Sequence, residues 1–105
     1  MARGRFPTKR ELTQDYIDVG GATYYVSVYD NGGKTADRYT IVFDTMHEAK
    51  PNTYTALGLS AQPSSPQGVS QFTTAMKGAH LGRRIHFVRL PANVQAHVRA
   101  RLQQA

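Results

Sequence analysis

The runs ATYYVSVYD, residues 22–30, and RYTIVFD, residues 38–44, constrain this chain more than any other feature. Both are rich in β-branched and aromatic residues and alternate with a period of two, the pattern of half-buried strands. Tyr24, Val26 and Val28 fall on one face of the first run, and Tyr25, Ser27 and Tyr29 on the other. In the second, Tyr39, Ile41 and Phe43 share a face, opposed by Thr40 and Val42. The intervening DNGGKTAD is rich in residues that tolerate positive φ, so the two runs read as an antiparallel hairpin.

The same loop contains Gly-Gly-Lys-Thr, the end of a phosphate-binding loop motif. That motif needs a glycine five positions before Gly33 and a helix after it, whose N–H groups meet the phosphate. Val28 holds the glycine position, inside a strand, and a second strand follows the loop. The quartet is therefore a hairpin turn. The loop is nonetheless longer than a two-residue Asn-Gly turn and has acids at both ends. Asp30 is suited to capping the loop's own N–H groups, and Asp37 to pairing with Arg38 or Lys34. Two carboxylates at one loop base also suit general acid–base work if their surroundings separate their pKa values.

The remaining elements are shorter. Residues 1–10 read as a flexible basic arm, broken by Gly4 and Pro7, ahead of one domain over 11–105. ELTQDYID, 11–18, reads as a helical turn or an extended lead-in, and VGG as a turn. TYTALGLS, 53–60, is a third strand with a bend at Gly58. AQPSSPQGVSQ is a long irregular loop, the kind that often carries function. FTTAMKGAHLGRR has helical or turn character, and RIHFVRL, 84–90, is a fourth strand with Ile85 and Phe87 inward. Pro91 opens a helix in which Val94, Val98 and Leu102 form an apolar stripe. The expected fold is α+β: a small antiparallel sheet of about four strands, or a half-open barrel, with one C-terminal helix.

A chain of 105 residues buries roughly two thirds of its unfolded surface, enough for one modest core. It has no cysteine, which excludes disulfides, thiolate zinc sites and a cysteine nucleophile. No apolar run approaches the ~20 residues of a membrane-spanning helix. Residues 1–15 lack a signal-peptide core, so a cytoplasmic protein without membrane contact is expected. His47, His80, His86 and His97 fall on different elements, and no metal or other cofactor is expected. The serines have no Gly-x-Ser-x-Gly setting and no base visible in the sequence.

Charge is the main functional signal. All seven acids lie at or before Glu48, and the net charge is +6. From residue 49 onward the only charged side chains are Lys50, Lys77, Arg83, Arg84, Arg89, Arg99 and Arg101. A basic, acid-free half favours an anionic partner, with nucleic acid ahead of a nucleotide or a host protein. Arg83, Arg84, Arg89, Arg99 and Arg101 are the candidate phosphate contacts. His80, between two glycines and beside Arg83 and Arg84, suits a phosphate or carboxylate.

Three stretches, VYDNGGKTADRYTIVF, LGLSAQPSSPQGVSQ and HLGRRIHFVRLPANVQAHVRARL, together resemble a group of small uncharacterised proteins of phages, plasmids and bacterial mobile elements. The shared features are an Asp-Asn-Gly-Gly…Asp-Arg-Tyr-Thr hairpin, a Ser-x-x-Pro-x-x-Pro-x-Gly loop and a His-Leu-Gly-basic-basic lead-in. The resemblance covers 28–102. It implies that Asp30, Asn31, Gly32, Gly33, Asp37, Arg38, Pro66, Gln67, Gly68, His80 and Gly82 are the matching positions. QGVSQ lacks the aromatic more usual after that glycine. Asp37, Arg38, Gln67 and His80 exceed what turns require and suggest a ligand site with Asp30, Asn31, Arg83 and Arg84. Three functions follow as expectations. The first is a basic nucleic-acid-binding protein of a mobile element. The second is a small enzyme on a nucleotide or phosphoester through Asp30, Asp37 and His80, with Arg83 stabilising charge. The third is a module inhibiting a host defence complex.

Overall fold

The structure, a computed structural model, describes residues 14–46 and 52–104. The expected basic arm, 1–10, lies outside them. Strands β1 (Asp15–Val19), β2 (Ala22–Asp30), β3 (Tyr39–Met46), β4 (Tyr54–Leu59) and β5 (Ser70–Ala75) form an antiparallel meander in chain order. A short β6 (Arg83–Ile85) returns to pair with β2, and one helix, α1 (Ala92–Gln104), closes the described chain. The α+β class and the C-terminal helix agree with the sequence. The sheet has six strands rather than about four, and it is open rather than a barrel.

Two segments depart from expectation, and a third, in the lead-in, takes the extended of its two readings. Residues 15–19 form β1, with Asp15, Ile17 and Val19 buried and Tyr16 and Asp18 exposed. Residues 70–75 form β5, a largely exposed edge strand. The expected fourth strand ends at Ile85, and Phe87–Arg89 turn into a 3-10 helix that buries Phe87. Gly58 is no bend. It is paired within β4 to both Thr40 and Gln71, and Asp37 Cβ would lie 3.5 Å from a methyl placed there.

Placement of β6 follows from register. Val28 pairs with Ile41 of β3 on one side and Ile85 of β6 on the other. β1 pairs with the earlier half of β2, from Asp15↔Val26 to Val19↔Ala22. β1 and β6 therefore share one edge of β2, end to end.

The main core lies between the sheet and α1. Val26, Val28, Ile41, Leu57 and Leu59 meet Phe87, Val94 and Val98, all fully or almost fully buried. Each such aliphatic side chain contributes roughly 1.5–3 kcal/mol. On the other face, residues 76–82 carry the chain from β5 to β6 across the sheet. Lys77 reaches Asp44 on β3 at 2.6 Å and lies 4.6 Å from the centre of the Tyr54 ring on β4. Leu81 packs on Tyr29, Val42 and Ala56. Among the described residues no helix is long and apolar enough to cross a membrane.

Candidate functional site

Asp30, at the end of β2, is the anchor of the hairpin tip. Its Oδ1 accepts the Gly32 amide at 2.8 Å, the expected cap. Its two oxygens also receive Arg38 Nε at 2.9 Å and Nη2 at 3.3 Å, a forked pair. Arg38 thus pairs with Asp30 and not with Asp37. The fork is why: Asp30 and Arg38 flank the hairpin base, where the Asn31 amide donates to the Arg38 carbonyl at 3.0 Å. The Arg38 hydrogen bond holds the Asp30 carboxyl below its ordinary range, against a smaller opposing effect of burial.

The rest of the tip is satisfied internally. Asn31 Oδ1 accepts the Gly33 and Lys34 amides, and its Nδ2 donates to Thr35 Oγ1 at 2.7 Å. Gly32 and Gly33 take positive φ, 77° and 89°, as the turn requires. Asp37 accepts the Thr35 hydroxyl rather than pairing with Lys34. An ionised, doubly engaged Asp30 is suited to holding a loop, not to exchanging a proton near neutrality.

The three loops singled out by sequence leave one end of the sheet. Asp30 pairs with Tyr39 and Arg83, Tyr39 with Leu59, and Leu59 with Ser70. Two of them are in intimate contact. Gly82, at φ 114°, lies so close to the Asp30 carbonyl and Asn31 Cα that a methyl there would collide with them. That approach seats β6 against the hairpin. The 61–69 loop turns instead to the helix: Asn93 Nδ2 donates to the Ala61 carbonyl at 3.0 Å. Gln67 is exposed, and its backbone N–H donates to Ser65 Oγ at 3.3 Å. His80 is exposed in a 3-10 turn, its ring folded back over Gly78.

Ser64 of that loop and Ser70 at the start of β5 do have an imidazole partner, which the sequence hid because it comes from α1. His97 Nδ1 lies 3.0 Å from Ser64 Oγ, and Nε2 lies 2.6 Å from Ser70 Oγ. Burial, and then the charge of Arg101, hold the imidazole below its ordinary pKa. A neutral ring offers one donor and one acceptor, which two hydroxyls can match. His97 thereby ties the loop to the helix.

Beside Asp30, β6 and the following turn form an open depression of about 450 Å³ lined by Asp30, Arg83, Arg84, Ile85, His86 and Arg89. An adjoining one of about 250 Å³, lined by Asp15, Arg84, Ile85 and His86, marks the joint between β6 and β1. Arg83, Arg84 and Arg89 are exposed, and none makes a salt bridge among the described residues. Arg84 lies 5.7 Å from the centre of the Tyr29 ring. Both lining acids are already engaged: Asp30 by Arg38, and Asp15 by backbone amides, with His86 Nδ1 3.8 Å away.

The two helix arginines do not line this depression. Arg99 donates to the Asp18 carbonyl at 2.7 Å and lies over Phe87, while Arg101 lies 4.8 Å from the centre of the Phe72 ring. His86, directly after β6, and Arg89, at the end of the 3-10 turn, line the same depression as the β6 arginines. Among the described residues no three His, Asp or Glu side chains converge as a metal site. No protein-family model, curated protein or solved structure matches the chain.

Proposed function

We propose that this is a small basic binding protein that holds nucleic acid through the Arg83, Arg84 and Arg89 surface. One observation carries the reading: three arginines without salt-bridge partners line one open depression whose acids are already engaged by other groups. Such a surface offers positive charge to an external phosphate chain. His86, 55% exposed at the same rim, adds a donor. The depression is open, as a polymer backbone requires, and the acid-free stretch from residue 49 extends the favourable field. The resemblance to small proteins of phages and mobile elements suits a cytoplasmic protein of such an element.

The test is fluorescence anisotropy of a labelled oligonucleotide at about 50 mM salt. Saturable binding that weakens steeply by about 200 mM is expected. Absence of binding at low salt, or affinity independent of salt, overturns the reading. Recovery instead of a stoichiometric host protein would favour the inhibitor function.

A further inference from the structure

The face of the sheet opposite α1 carries a second feature beside the arginines. Tyr16 of β1 and Tyr25 of β2 are direct cross-strand partners, and each is 55% exposed. Four residues further along β2, Tyr29 pairs with Arg84 of β6. Alternation puts Tyr25 and Tyr29 on one face, so Tyr16, Tyr25 and Arg84 share it. The two cross-strand pairs lie about 13 Å apart along the strand. Between them lies the joint of β1 and β6, with the smaller depression.

Most of this face is covered. Ser27, Tyr29, Thr40 and Val42 are buried, and Leu81 and Lys77 of the crossing segment pack over it. The tyrosine pair is left open on the face that Arg84 shares, while alternation turns Arg83, the partner of Asp30, to the other face at the same sheet edge. Acids on this face are answered locally: Asp44 by Lys77, Gln14 and Ser27, and Asp18 by the Thr23 hydroxyl.

Paired exposed aromatics next to unpaired arginines fit bases and phosphates together. A duplex hides the faces of its bases, so the aromatic rings would have nothing to stack on; a single strand presents them. Resting on the nucleic-acid reading above, we infer that the ligand is single-stranded nucleic acid. Its bases stack on Tyr16 and Tyr25, and its phosphates run past Arg84 toward Arg83 and Arg89.

The experiment compares the full-length chain with Tyr16→Ala/Tyr25→Ala, Tyr16→Phe/Tyr25→Phe and Arg83→Ala/Arg84→Ala/Arg89→Ala. Probes are labelled twelve-nucleotide oligo-dT, oligo-U and a duplex of the same length. The double alanine variant is expected to lose about tenfold or more in single-strand affinity, with an unchanged salt slope and little change on duplex. The phenylalanine variant is expected to retain binding, which separates stacking from loss of the phenol. Wild-type-like single-strand binding by the double alanine variant overturns the stacking inference. So does wild-type preference for duplex. If the arginine variant alone loses binding, the arginine surface stands and stacking falls. If it loses none, the nucleic-acid reading itself falls.

Discussion

The Asp15 carboxylate accepts the Phe87 backbone amide at 2.6 Å, joining residues 72 positions apart. Its other oxygen accepts the Tyr16 amide at 2.9 Å. The buried carboxylate therefore splices β1 to the turn that follows β6, at the point where the two strands meet along β2. It supports the segment that presents His86 and Arg89.

Replacing Asp15 with Ala leaves the Phe87 amide buried without its acceptor. The expected loss is about 1–3 kcal/mol, with Asp15→Asn losing less because one acceptor oxygen remains. Urea unfolding of the three proteins measures this. Equal stability of wild type and alanine variant would show that the splice contributes nothing.

Gly82→Ala is expected to loosen β6. The position has a positive φ of 114°, and a methyl there meets the Asp30 carbonyl. Backbone strain of this kind costs about 1–3 kcal/mol, and relief by withdrawing β6 would scatter Arg83 and Arg84. Hydrogen exchange should show faster exchange of the β6 and Val28–Asp30 amides in the variant. Unchanged protection would contradict the close packing.

The Asp30–Arg38 pair has a testable titration. Because the folded pKa of Asp30 lies below its ordinary value of 3.8, its contribution is fully present above that value. It is lost as pH falls through the lowered folded value. Arg38→Ala is expected to move the Asp30 titration back upward, read by carboxyl chemical shifts. An unmoved titration would remove Arg38 as its cause.

His97 works in the opposite direction to a charged histidine pair. Its folded pKa lies below 6.5, so the folded state resists a proton that the unfolded chain accepts. Stability should fall as pH drops from about 6.5 through the folded value and then level. In His97→Gln that dependence should diminish, measured by urea unfolding between pH 7.5 and 5. An identical slope in the variant would contradict the assignment.

The hairpin and the helix were legible because their signals are local: β-branched and aromatic runs in 22–30 and 39–43, whose residues 26–29 and 39–43 prove buried on both faces rather than one, and the 94, 98, 102 stripe. β1 was not, since a charged residue, Asp15, takes an inward position that pattern reading reserves for apolar side chains. β5 offers only Phe72 as a large apolar residue, because its face and edge are mostly exposed. Of the site, the Arg83–Arg84 pair and the Asp30 cap could be read from sequence. The Arg38 partner, the His97 clamp and the alignment of Tyr16 with Arg84 depend on strand register and on contacts between distant segments, which no local pattern encodes.

Salt dependence of the arginine variant tests the central claim most directly. The slope of log affinity against log salt for a single-stranded oligonucleotide should be steep in wild type. In Arg83→Ala/Arg84→Ala/Arg89→Ala it should be shallower by about 0.7 for each arginine that meets a phosphate, or about 2 in all. An unchanged slope and affinity in the triple variant would contradict the claim that this surface holds nucleic acid.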